Sequence, residues 1–123
     1  MKREILFKAK RVDNGEWVYG YYVYLPNGKH LIYCKPFGGA SQNTYHEVLP
    51  ETVCQYTGLE DKNGDKIFEG DEIEMYNHDS DFYYSGFVVF DELSMSWGVE
   101  NKGGTHDLYK YHIQHLTGKN IHD

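Results

Sequence analysis

The sequence predicts an all-β protein, an N-terminal β-meander packed on a small C-terminal SH3-like β-barrel. Three observations carry this. Aromatic residues fill 16% of the 123 positions, with 12 Tyr and 6 Phe, side chains that suit a pleated, half-buried surface. Thirteen glycines against three prolines supply tight turns between short strands. Apolar residues do not recur at helical spacing over ten or more positions, whereas alternation of period two is frequent.

Ile5, Phe7 and Ala9 alternate with Glu4, Lys8 and Lys10 in a first extended segment, and Asp13-Asn14-Gly15 turns the chain. Glu16 to Leu25 reads as a long strand with aromatic or apolar residues on both faces: Trp17, Tyr19, Tyr21, Val23 and Leu25 on one, Val18, Tyr22 and Tyr24 on the other. Such a strand is sandwiched or faces a second subunit. Gly20 in its middle predicts a bulge or the close approach of another backbone. Pro26-Asn27-Gly28 leads into His30 to Cys34, the third strand of a meander. Residues 36–43, with Gly38-Gly39 and Phe37, read as a loop, and Tyr45 to Leu49 as a further strand. Pro50-Glu51-Thr52 predicts one helical turn, Pro being pre-set for the first position.

Two β units follow. Asn63-Gly64 lies between polar-apolar flanks and predicts a type I′ turn with positive φ at both centres. Gly70-Asp71 makes a second corner before Glu72 to Tyr76, where Ile73 and Met75 read as core. A polar loop from Asn77 to Ser85, strands at Gly86 to Phe90 and Ser96 to Glu100, a turn at Lys102 to Thr105 and a closing segment Tyr109 to Leu116 complete a barrel pattern. A soft boundary near Thr57 gives a meander over residues 1–56 and a barrel over 57–123.

The signature Pro50-Glu51-Thr52-Val53, Gln55-Tyr56-Thr57-Gly58-Leu59, Asp61-Lys62-Asn63-Gly64, Ile67-Phe68-Glu69-Gly70-Asp71 resembles that of the YopX family of phage and prophage proteins. The opening strand Arg3 to Lys10, the Gly15-Glu16-Trp17-Val18-Tyr19-Gly20 segment and the late Gly118, Asn120 and Ile121 extend the resemblance over nearly the whole chain. It implies a phage or prophage accessory protein in the bacterial host cytoplasm and supplies no catalytic residues. The family usually continues beyond this point, which implies a shortened last strand or tail.

The net charge of −7 is uneven. Residues 1–56 carry seven Lys/Arg against five Asp/Glu, a net +2, and residues 57–123 five against fourteen, a net −9. This argues against the phosphate binding that dominates nucleic-acid affinity. No membrane span and no secretory signal are expected. Cys34 and Cys54 are expected as reduced thiols, with neighbouring strands as the arrangement that would let them bridge.

Candidate chemistry is sparse. Asp61-x-Asn63-x-Asp65 with Glu72 at the twelfth position mimics a calcium loop, but position six is Lys66 where that loop needs glycine, and the flanks read as strands. His106, His112, His115 and His122 could converge, yet neither cysteine forms a Cys-x-x-Cys pair, so no zinc site is expected. Glu69, Asp71, Glu72 and Glu74 form a carboxylate cluster that a solvated strand face also explains. No hydrolase, metalloprotease or phosphate-loop motif occurs. The expectation is therefore a non-enzyme without cofactor or metal that binds a phage or host protein and self-associates. Its interaction surface is Trp17, Tyr19, Tyr21, Tyr22 and Tyr24, and Asn63, Gly64, Gly70 and Asp71 are structural turn residues. A nucleic-acid binder using the basic first strand and the tyrosines, and an acidic decoy of a host nucleic-acid-binding protein, are the alternatives.

Overall fold

The computed structural model describes residues 4–34 and 44–123. The expected loop with Phe37 and Gly38-Gly39 lies outside them. No α-helix occurs among the described residues, and the strands form two antiparallel sheets of six and five strands. The chain divides into two compact units, Met1–Tyr56 and Thr57–Asp123.

In the first unit, β1 (Phe7–Lys10), β2 (Trp17–Tyr24), β3 (His30–Cys34) and β4 (Thr44–Glu47) run as a meander. The 3-10 turn Pro50–Thr52 then returns the chain to β5 (Cys54–Glu60), which pairs with β1 on the far side from β2. The sheet order is β4-β3-β2-β1-β5-β6, with β6 at Lys66–Phe68. Alternation sends Ala9, Ile32 and Val48 into a fully packed core, with Phe7, Val18 and Tyr22 against it. Cys34 and Cys54 are free thiols. They lie on β3 and β5 with two strands between, about 14 Å at ordinary strand spacing, beyond the reach of a disulfide. The free thiols match the expectation, and the arrangement that would let them bridge does not occur, because β5 returns beside β1 and not beside β3.

The second unit holds the sheet β10-β9-β8-β7-β11, built from β7 (Asp71–Asn77), β8 (Phe82–Asp91), β9 (Ser96–Asn101), β10 (Gly104–Asp107) and β11 (Ile113–Asn120). Ile73, Met75, Val88, Val99 and Ile113 point to one face, and Ile67 from β6 packs on them with Leu108. The sheet is open: β10 and β11 are its two edges, and no closed barrel forms among the described residues. β6 spends its pairing on β5, so the strands available in the second unit end in edges rather than closing on each other. Strand limits also differ from expectation. β8 starts at Phe82, inside the expected polar loop, because Tyr83 pairs with Tyr76 and their rings stack at 4.3 Å. Gly104–Asp107 is a strand and not a turn, paired along β9. Tyr109 and Tyr111 precede β11, around the 3-10 turn Lys110–His112.

The Asn63-Gly64 turn is of another type than expected. Positive φ occurs at Gly64 (83°) but not at Asn63. Gly64 N–H donates to Asp61 O at 3.0 Å and Asp61 N–H to Asp65 O at 2.9 Å, which makes a type I turn followed by a glycine bulge. The cause is the Asp61 carboxylate. Its Oδ1 accepts from Asn63 N–H (2.9 Å) and Asp65 N–H (3.0 Å), holding Asn63 in ordinary right-handed geometry. Gly64→Val is expected to cost about 1–3 kcal/mol through the strained φ, and Gly64→Asn less, because Asn tolerates that region. Thermal melts of both variants check this, and equal melting temperatures would contradict it.

Candidate functional site

Three arrangements stand out: a tyrosine row on the first unit, two carboxylate clamps in the second, and an aromatic groove beside them. The row follows from register. Tyr21 pairs with Tyr33, and Tyr33 with Tyr45, so three tyrosines from β2, β3 and β4 lie side by side. Directly opposed side chains in antiparallel pairs touch, and the ring centroids are 6.3 and 4.8 Å apart. Tyr19, Tyr21 and Tyr45 are 51%, 47% and 59% exposed.

On the same face, Lys8 and Lys10 pair with Tyr19 and Trp17. They set their ammonium groups 4.6 and 5.4 Å from the Trp17 ring centre, so cation–π contact engages both charges. Of the five expected surface residues, Trp17, Tyr19 and Tyr21 share this face. Tyr22 points the other way, packs on the core with Phe7 at 5.9 Å and bonds His30. Tyr24 lies on Tyr22's side at the strand end, exposed, with its ring 4.7 Å from His30. Tyr33 and Tyr45 escaped the sequence reading because only strand pairing brings them beside Tyr21. Burial raises the Cys34 thiol pKa, which keeps it protonated and a poor nucleophile.

The carboxylates of the signature are fasteners. Asp61 is buried; besides its two turn bonds, its Oδ2 accepts from Leu116 N–H at 3.0 Å. This ties the β5–β6 turn to β11. Burial pushes its pKa up, but the N–H groups of Leu116, Asp65 and Asn63 and the charge of His115 outweigh that and leave it lowered. The sequence shows Asp61 only as the first position of a calcium-loop mimic; the fold makes it an acceptor for three backbone groups. Its two oxygens serve backbone donors, which pin the turn where a calcium loop would need them turned to an ion.

Asp71 is also buried. Its Oδ2 accepts from Phe68 N–H and its Oδ1 from Asn120 Nδ2, both at 2.9 Å. Ile121 N–H donates to Gly70 O at 2.8 Å, and Gly70 holds φ at 85°. The Gly70-Asp71 corner and the late Asn120-Ile121 element thus lock together. The carboxylate cluster is split: Asp71 faces inward with Ile73, whereas Glu72 accepts from Thr117 Oγ1 at 2.8 Å and Glu74 is exposed.

The groove is an open cavity of about 520 Å³. Phe82 and Tyr84 project from β8 on one side, His106 and Asp107 from β10, and Tyr109 and His112 from the turn before β11. Tyr84 is its centre. Its ring is 6.0 Å from Phe82, 5.4 Å from His106 and 6.4 Å from His112, and its hydroxyl shares a 3.2 Å hydrogen bond with His112 Nδ1. Burial and the Asp107 charge raise the Tyr84 pKa. Two of the four expected histidines, His106 and His112, therefore meet, but around a tyrosine. His115 faces Asp61, and the backbone of His122 donates to Asn120 Oδ1. Among the described residues no three His, Cys, Asp or Glu side chains are placed to hold a metal ion.

Comparison with known proteins adds one finding. The family model described as YopX protein matches residues 6–121. No curated protein and no solved structure matches the chain. The match spans nearly the whole chain, which therefore belongs to the YopX family.

Proposed function

We propose that this YopX-family protein is a phage- or prophage-encoded accessory protein of the host cytoplasm that works by binding and not by chemistry, and that it self-associates through its tyrosine row. The observation that carries this reading is the row Tyr21-Tyr33-Tyr45 with Tyr19 beside it, in which Tyr19, Tyr21 and Tyr45 are exposed and Tyr33 is half-buried between them. Contiguous exposed aromatic surface marks interaction sites, and tyrosine buries its ring while its hydroxyl finds a polar partner at the rim. A second copy is the occupant that fits. The first unit is near-neutral at +2, so two copies approach without strong repulsion, and a symmetric pair sets tyrosine against tyrosine. The −9 second units of two copies repel one another, which leaves the first units as the contact.

Light scattering at tens of micromolar protein is expected to give a dimer or larger assembly. Tyr19→Glu with Tyr21→Glu is expected to dissociate it without loss of folded near-ultraviolet signal. A monomeric parent protein would sink the reading. Nucleic-acid binding draws on the same face, through Lys8 and Lys10. Their engagement with Trp17 and the overall −7 charge weigh against it. A salt-dependent mobility shift with single-stranded DNA would favour it over self-association as the face's role.

A further inference from the structure

We infer that the groove around Tyr84 is a binding site for a cationic side chain, the guanidinium or ammonium of a basic segment of a partner protein. The walls are aromatic and inclined to one another. The Tyr84 and His112 rings stand at 89°, the Tyr109 and His112 rings at 73°, and Phe82 lies nearly parallel to Tyr84 at 18°. Rings from three separate elements line one open volume, and a cation gains from each ring face it reaches within about 6 Å. Asp107 stands on the rim, the acidic member of the lining.

The charge of the surroundings matches. The unit that holds the groove carries five Lys/Arg against fourteen Asp/Glu, a field that gathers cations and steers a basic segment inward. The same field opposes a nucleotide, whose base could stack on Tyr84 but whose phosphate would meet Asp107. Two of the rings are also little used by the fold itself. Phe82 and Tyr109 are mostly exposed, an arrangement that exposes apolar surface and contributes little to packing. This site lies wholly within the second unit, so it is separate from the tyrosine row and stands or falls independently of it.

The test uses the full chain and aromatic-proton NMR. N-acetyl-arginine amide is titrated first, then a nine-residue arginine peptide, at physiological salt. The expected result is saturable shifts of the Tyr84 and Tyr109 ring signals with both probes, the peptide binding more tightly. Phe82→Ala with Tyr109→Ala leaves the net charge unchanged and is expected to weaken the peptide about tenfold. Asp107→Asn should weaken it further, and the charge-neutral Tyr19→Ala with Tyr21→Ala should leave it unaltered. Both groove variants change exposed side chains, and their melting temperatures confirm that they fold. Peptide binding that the charge-neutral double variant retains in full would reduce the effect to the general negative field and overturn the site. Absence of saturable shifts would overturn it too, as would tighter binding of adenosine monophosphate than of the arginine amide.

Discussion

Gly20→Ala is expected to melt the N-terminal sheet at a much lower temperature than the parent protein. A Cβ at this position would stand 2.0 Å from the Tyr33 carbonyl oxygen, 2.8 Å from its carbon and 3.2 Å from Cys34 Cα. All three are backbone atoms of β3, so no side-chain rotation relieves the clash. Relief means moving β3 away from β2 and losing the pairing of Tyr21 with Tyr33. Overpacking costs about 1–3 kcal/mol, and a clash with backbone atoms belongs at the upper end. In a unit of some 60 residues, each kcal/mol moves the midpoint by roughly 4–8 °C. Gly28→Ala is the comparison. Gly28 has open space around a would-be Cβ but a φ of 87°, so its cost is the left-handed strain alone, about 1–2 kcal/mol. Melting curves followed by near-ultraviolet circular dichroism should rank Gly20→Ala well below Gly28→Ala. The reverse order would show that β2 and β3 are not held this close. Because the same register carries the tyrosine row, Gly20→Ala should also weaken self-association.

Asp61→Ala is the second large effect, and it comes with a pH signature. Three backbone N–H groups, those of Asn63, Asp65 and Leu116, lose their acceptor. Hydrogen bonds to a charged group are the stronger kind, and their loss is expected to cost about 2–3 kcal/mol. Asp61→Asn keeps one acceptor oxygen and should fall between. The lowered pKa sets the pH dependence. The folded-state value lies below the ordinary 3.8, so the unfolded chain takes up the proton first as pH falls. The stabilisation is complete above 3.8 and disappears as pH drops through the lower folded value. Urea midpoints between pH 6 and pH 2.5 should show the gap between the parent and Asp61→Asn narrowing at the acid end. A gap that stays constant would mean that the carboxylate charge contributes nothing to the clamp.

Local signals read the elements well where one residue's chemistry decides them. Trp17–Tyr24 and His30–Cys34 emerged from period-two aromatic alternation, the 3-10 turn Pro50–Thr52 from its leading proline, and Gly20 from being a glycine within a strand. Family membership was equally legible, since the run from Pro50 to Asp71 is contiguous. The limits of β8 and β10 were not. Tyr83 and His106 are strand residues because Tyr76 and Val99 lie opposite them, a relation between segments that local composition does not carry.

The sequence alone determined an all-β chain with a YopX signature and a division of charge between its halves. Tertiary structure decided what the signature residues do. The fastening roles of Asp61 and Asp71 are not legible locally, because two of the donors they accept from, Leu116 N–H and Asn120 Nδ2, are about fifty residues away. The Asn63-Gly64 dipeptide favours a type I′ turn in isolation, and only Asp61, captured by its own turn, selects type I with a bulge. Tyr33 and Tyr45 joined the tyrosine face, and Tyr22 left it, through strand register. Tyr84, Tyr109 and His112 met in a groove because β8 and the turn before β11 end at the same side of one core. Long-range pairing fixes which groups become neighbours, and a carboxylate or aromatic ring takes its role from those neighbours.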